Sequence, residues 1–212
     1  MPPHFTQIPT TPHIRTLPLT ASGMRVPYTT AYAPDDGTNP TGEATLPSGG
    51  RIVTCSCELG RGRPRFGRPC PHRQRTGIRK RRCVTCGKPV PPGTTAVFIG
   101  AEHNTLPGLP HTVLTSFEPP AHPTCAAYSA LTCPRLYANL HDVPVVLTRD
   151  YGTWKQVVLG TLTTAAPLDQ PVQLGTVDMH IAILNRTPTR ALTLDQWMTH
   201  EAPKPYRGLH TT

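Results

Sequence analysis

Two groups of residues in this 212-residue chain have the types and spacing to do chemistry: thiols and imidazoles set in tight pairs, and guanidiniums crowded between them. All seven cysteines lie between Cys55 and Cys133. Four form the pairs Cys55-Ser-Cys57 and Cys83-Val-Thr-Cys86, and two come with a histidine, in Cys70-Pro-His72 and His122-Pro-Thr-Cys125. Thiolate and neutral imidazole are the donors a tetrahedral zinc ion takes, four to an ion. Eight such residues suffice for two Zn2+ ions, with Cys133 left over. Four protein ligands close a site to water, so the zinc expected here is structural.

Spacing suggests which residues share an ion. C-x-x-C lets both thiolates meet one metal. Gly87 behind it can take positive φ, so that the backbone turns closely behind the sulfurs and its amides can donate to them. His122 and Cys125 stand three apart, on one face of the first turn of a helix that Pro123 starts and Pro134 stops. Cys83, Cys86, His122 and Cys125 thus form one expected site, and Cys55, Cys57, Cys70 and His72 the other. A second pairing stays open: Cys55 and Cys57 with Cys83 and Cys86, leaving the two histidine pairs to the other ion. Cys133 falls about 80° round the helix from Cys125 and reads as a small buried core residue.

The run C-x-C-x12-C-x-H, led by the short strand Arg51-Ile-Val-Thr, resembles the SWIM-type zinc finger. That resemblance implies a ββα unit whose histidine opens the helix. Arg-Gln-Arg-Thr-Gly77 follows His72, so the helix expected here is brief. The later segment, a knuckle, two strands and then a helix whose first turn supplies two ligands, resembles the treble clef. Cys83 to Lys88, Glu118-Pro-Pro and His122-Pro-Thr-Cys125-Ala-Ala-Tyr-Ser-Ala-Leu-Thr-Cys133-Pro134 are also similar to small, uncharacterised zinc-binding proteins of high-GC bacteria and their phages. This last resemblance covers about half the chain and implies a zinc module, with no activity attached.

The guanidiniums are as concentrated as the thiols. Between Arg51 and Arg82 there are ten Arg and one Lys against one acid, Glu58, while the remainder of this chain of net charge +9 is close to neutral. Arg61, Arg63, Arg65 and Arg68 surround Phe66, and Arg73, Arg75, Arg79, Lys80, Arg81 and Arg82 follow the first candidate site. Arginine forks bind phosphate bidentately and stack on bases, and a lone aromatic among them is a stacking platform. These eleven residues are the expected nucleic-acid footprint. A solvated basic linker is the plainer alternative.

The elements that must position these groups look small. Pro is 27 and Gly 17, and 37% of the chain is hydrophobic, so a single large core is not expected and metal-stapled units are. Residues 1–50, with nine prolines, read as a Pro/Thr-rich extended or disordered arm, or as short strands near Met24 to Tyr32 that join a later sheet. Residues 51–82 form the basic SWIM-like segment and 83–139 the treble-clef module, its hairpin made by Thr95-Ala-Val-Phe-Ile and Thr112 to Phe117. Over 140–200, Val143 to Thr148, Trp154 to Thr161, Val172 to Leu174 and Asp178 to Leu184 read as strands of a small antiparallel sheet. The capping box Thr193-Leu-Asp-Gln196 then opens a terminal helix through Trp197 and Met198. Residues 201–212 read as a fraying tail. The fold class expected is α+β.

Other functions find less support. The first residues lack the apolar stretch of a signal peptide, and no apolar run approaches the roughly 18 residues of a membrane span, so a cytoplasmic protein with reduced thiols is expected. Asp150, Asp169, Asp178 and His180 are scattered and read as turn or surface residues. An HNH-type nuclease would use a treble clef, with His103, Asn104 and His111 as its candidate residues, but the helix after Cys125 carries no further His or Asn at useful spacing. Cys133 has no His partner in sequence for nucleophilic catalysis. The expectation is a non-enzymatic, two-zinc protein that binds DNA or RNA through its arginines, or else an adaptor that uses the zinc-stapled scaffold to bind a protein.

Overall fold

A computed structural model of the chain describes residues 4–34, 41–45, 51–105, 112–162, 172–184 and 190–210, the strands across 154–180 by their backbone only. Its architecture mixes helix and strand, in sheets that are almost wholly antiparallel and in short helices. In chain order the strands are β1 (Thr30–Ala33), β2 (Thr41–Thr45), β3 (Arg51–Cys55), β4 (Arg63–Pro69), β5 (Ala96–Ile99), β6 (Glu102–Thr105), β7 (Thr112–Ser116), β8 (Pro144–Thr148), β9 (Gly152–Leu162), β10 (Val172–Ile183) and β11 (Arg190–Thr193). The helices are α1 (Pro12–Arg15), α2 (Pro71–Arg79), α3 (Pro123–Thr132), α4 (Pro134–Ala138) and α5 (Leu194–His200).

The strands sort into three sheets. β1 and β4 form an antiparallel pair. β2, β3, β10, β7 and β6 lie side by side in that order, with β9 also paired to β10, and β10 meets β3 in parallel. The third sheet runs β11, β8, β5. Two expectations change here. β5 and β7 do not form a hairpin: Gly100, at φ 75°, ends β5, and the chain turns into β6, which pairs with β7 from Glu102↔Thr115 to Thr105↔Thr112. Nor do the strands after residue 140 make a sheet of their own. β8 closes on β5, whereas the β9–β10 hairpin joins β7 and β3.

One contiguous core runs from Ile8 to Tyr206, where sequence composition argued against a large one. Val113 and Ile181 form a second, smaller cluster, and the main core gathers residues 8–17, 78–151 and 182–206 rather than one apolar run. α3 is its axis: Cys125, Ala126, Ala127, Tyr128, Ala130 and Leu131 are all buried, and the alanines let neighbouring chain approach closely. Pro123 sits in its first turn, and the Cys133 amide closes its last turn on Ser129 before Pro134 starts α4.

Both ends of the described chain pack onto this core. Residues 4–34 carry a 3-10 turn (Phe5–Gln7), α1 and β1 between irregular stretches, and Ile8, Ile14, Leu17 and Val26 are buried. The Tyr206 hydroxyl donates to the Pro9 carbonyl at 2.8 Å, and His210 lies 3.2 Å from the Asp195 carboxylate. The last residues described are therefore anchored where fraying was expected. At α5 the capping box forms as read: the Gln196 amide donates to Thr193 Oγ1, and Gln196 Oε1 accepts the Thr193 amide at 3.0 Å.

α2 is longer than the sequence suggested, nine residues reaching past Gly77. Glycine is required within it, because a Cβ there would lie 2.6 Å from the Pro119 ring. The helix ends with the Arg82 amide on the Gly77 carbonyl (2.8 Å) and Arg81 at φ 50°. This is a Schellman-type stop with arginine where glycine is usual. Arg81 is held there by Asp150 at 3.0 Å and by stacking over the Tyr151 ring at 4.3 Å.

Candidate metal centres

Two groups of metal-ligand side chains come together, each with donor atoms within 4.8 Å of one another: Cys83, Cys86, His122 and Cys125, and Cys55, Cys57 and Cys70. Tetrahedral binding with metal–sulfur bonds of about 2.3 Å needs sulfurs about 3.8 Å apart, so both groups can close on an ion with small rotations.

The second group in chain order is built by three segments. Cys83 to Gly87 make a tight knuckle, with the Cys83 amide on the Lys88 carbonyl (2.8 Å) and the Gly87 amide on the Cys83 carbonyl (2.9 Å). Gly87 adopts φ 71°, as the spacing suggested, and a Cβ there would strike the Tyr28 ring at 2.6 Å. Ala121 exchanges two backbone hydrogen bonds with Val97 of β5, delivering His122 to the start of α3 and Cys125 one turn on. His122 Nδ1 lies 3.5 Å from Cys86 Sγ and 3.8 Å from Cys125 Sγ. Its Nε2 lies 2.9 Å from the Pro89 carbonyl. That carbonyl can only accept, so Nε2 carries the proton and Nδ1 is left for a metal.

The electrostatics are those of an anionic nest. Burial opposes ionisation of Cys83, but hydrogen bonds from Cys125, Cys86 and His122 outweigh it and hold its thiol well below the usual range. Hydrogen bonds to Cys83 and Cys86 push His122 up to about 10. The same two sulfurs, with burial, push Cys125 up. The protons held on His122 and Cys125 stand in for a positive charge that a bound cation would supply.

The first group is more open. Cys55 ends β3, Cys57 lies in the irregular segment that follows, and Cys70 is the N-cap residue of α2. Cys70 is buried, while Cys55 and Cys57 are half-buried with their sulfurs 2.7 Å apart. Burial, then the Cys57 hydrogen bond, pushes Cys55 up to about 12. Burial also opposes ionisation of Cys57, yet hydrogen bonds from Cys55, the Tyr32 amide and Cys70, with the Arg73 guanidinium, bring it down. His72, expected as the fourth ligand, is exposed on α2, and its ring nitrogens stay outside the three-sulfur group. Cys133, at the end of α3, belongs to neither group.

Residues 28–32 tie the two centres together, a role the Pro-rich sequence did not announce. The Tyr28 and Thr29 amides donate to the Thr85 and Val84 carbonyls of the knuckle at 2.7 and 3.2 Å. The Thr29 carbonyl accepts the Cys70 amide at 2.6 Å. Arg73, counted with the phosphate-binding arginines, is buried instead: Nη2 donates to the Thr30 carbonyl (2.7 Å) and to Cys57 Sγ (3.2 Å), and Nη1 donates to the Cys57 carbonyl (3.1 Å).

Other members of the expected footprint divide by exposure. Arg61, Arg63, Phe66, Arg68, Arg79 and Lys80 are exposed, Phe66 by half of its surface. Arg65 is half-buried. Arg75 donates to the Val53 carbonyl at 2.8 Å and Arg82 to the Gly87 carbonyl at 3.1 Å, and Arg81 is engaged by Asp150 and Tyr151. Of the nuclease candidates, His103 is exposed, the Asn104 amide is spent on Thr115 Oγ1 at 2.8 Å, and His111 lies outside the described residues. Asp169 and the side chains of Asp178 and His180 also fall outside them. Among the described residues no helix is long and apolar enough to cross a membrane. No family model, curated protein or solved structure matches the chain.

Proposed function

We propose that the chain is a non-enzymatic zinc protein whose two structural ions, in a SWIM-like and a treble-clef-like centre, hold an arginine surface in place for nucleic acid. Zinc is favoured because thiolate and imidazole donors select it over hard cations. Cys83, Cys86, His122 and Cys125 would close one site. Cys55, Cys57 and Cys70 would supply three ligands of the other, with α2 following Cys70 as the helix of a SWIM-like unit would.

The single observation that carries the nucleic-acid reading is β4. It exposes Arg63, Phe66 and Arg68 on a strand that ends at Pro69, one residue before Cys70 of the three-sulfur group. Arg61 before it, and Arg79 and Lys80 at the end of α2, extend the exposed positive surface. Cations rooted near a metal site meet a phosphate backbone with less ordering cost than cations on a free linker. Binding would be largely independent of sequence and would occur in the cytoplasm.

The test is salt dependence. With about five phosphates contacted, log K against log salt on duplex DNA should slope at about −4.5. Arg63→Gln and Arg68→Gln should each reduce that slope by about 1. A flat salt response would reject the reading. Capture of a protein partner that survives nuclease and ignores both substitutions would favour the adaptor alternative.

A further inference from the structure

We propose that the Cys55–Cys57–Cys70 centre keeps one coordination position open to the cavity beside it, and that this position takes a small thiol bearing a carboxylate. The inference rests on these three cysteines holding a metal, as proposed above, and assigns the fourth ligand to a molecule from solution.

Three observations meet here. Among the described residues the group offers three sulfurs and no fourth protein donor, whereas the other centre brings four donors together. Three protein ligands with an exchangeable fourth is the arrangement of zinc sites that bind small molecules. Beside Cys57 lies a cavity of about 330 Å³ lined by Tyr32, Pro34, Ser56, Cys57, Glu58, Arg61 and Gly62. Its volume is at the lower end of the range for small-molecule sites. Finally, the Tyr32 hydroxyl is buried in this wall without a hydrogen-bond partner among the described residues. Leaving a buried polar group unpaired is costly unless something else satisfies it. A phenol hydroxyl can donate as well as accept.

The lining sets the ligand class. A divalent ion on sulfur ligands favours a soft donor in the remaining position, hence a thiolate. Three thiolates would leave a divalent site net negative, but the Arg73 guanidinium on Cys57 Sγ offsets that charge and makes a further anionic sulfur tolerable. Arg61 also lines the cavity and, among the described residues, pairs with Glu58 in an exposed contact at 3.2 Å, an interaction weak enough to exchange for another carboxylate. The Tyr32 hydroxyl supplies a second donor. On binding, the thiol releases its proton to solvent as its sulfur joins the metal, and no oxidation is involved.

The test loads the full chain with Co2+, whose sulfur-to-metal absorption reports each added thiolate, and titrates it with cysteine, cysteamine and acetate. Expected is a saturable rise with cysteine, a weaker response to cysteamine, which lacks the carboxylate, and none to acetate, with both ions retained by the protein. Arg61→Gln should weaken cysteine binding about two- to fivefold and leave cysteamine unchanged. Tyr32→Phe should weaken cysteine binding roughly two- to tenfold. His72→Ala should bind cysteine as the parent does. If the parent is silent while His72→Ala responds, imidazole fills the position and the proposal is wrong. No response from either protein, or loss of the ion to free cysteine, also overturns it. Fewer than two ions per chain would remove the underlying metal reading as well; two ions without a thiol response would remove this inference alone.

Discussion

The two candidate metal centres use similar donors but are finished differently. At Cys83, Cys86, His122 and Cys125 the three sulfurs are buried, the imidazole is oriented by the Pro89 carbonyl, and the ligands are carried by the knuckle and α3 at the middle of the core. At Cys55, Cys57 and Cys70 two of three sulfurs are half-exposed, the ligands hang on the ends of β3 and β4, and a cavity opens beside Cys57. A centre embedded in the core makes its metal part of the folding free energy. A centre at the rim of the core adds local order and stays within reach of solvent and ligand.

That contrast predicts the largest effect at the embedded centre. Cys125→Ser should remove several kcal/mol out of the roughly 10–16 kcal/mol that a structural zinc contributes, and cooperative unfolding followed by circular dichroism should disappear. Cys57→Ser should cost one ion and leave a cooperative transition. Equal damage from the two substitutions would erase the distinction. Next in size is Gly87→Ala, which places a Cβ 2.6 Å from the Tyr28 ring at φ 71°. It should destabilise by about 2–3 kcal/mol in denaturant titrations and loosen the 28–32 strap that both centres share.

The smallest effect lies away from either centre and serves as a control on them. Glu118 is pushed up to about 7 by burial. The folded state therefore holds its proton above the usual carboxylate range, and stability present at pH 4 is lost as pH rises through 7. Glu118→Gln should stabilise the chain by about 1–3 kcal/mol at pH 8 and change little at pH 4, read from melting midpoints at fixed zinc concentration. A variant equally stabilised at both pH values would show that burial of the charge is not the cause.

The sequence disclosed the embedded centre almost completely. Two thiols at C-x-x-C, a glycine behind them, and a His and Cys one helical turn apart are local patterns, and local geometry was enough to bring them together. It disclosed three of the four residues expected at the first centre; His72 is the exception, because its direction on α2 depends on what packs around the helix. Arg73 looked identical to its neighbours in a basic run, and partners distant in sequence, the Thr30 carbonyl and Cys57, turn it inward. The strand pairing was hidden for the same reason. Nothing in 95–117 says that β5 must reach β8, and nothing in the Pro-rich start says that Tyr28 and Thr29 will dock on the knuckle. Such contacts are set by which surfaces remain uncovered once the core forms, and no window of sequence carries that information.

The most direct test of this account removes metal stepwise from the purified chain with a chelator, measuring bound zinc by elemental analysis and thermal unfolding on the same samples. The account predicts two ions per chain, the first lost with a cooperative transition still present and the second lost together with that transition. Complete removal of metal with the melting midpoint and cooperativity unchanged would contradict it.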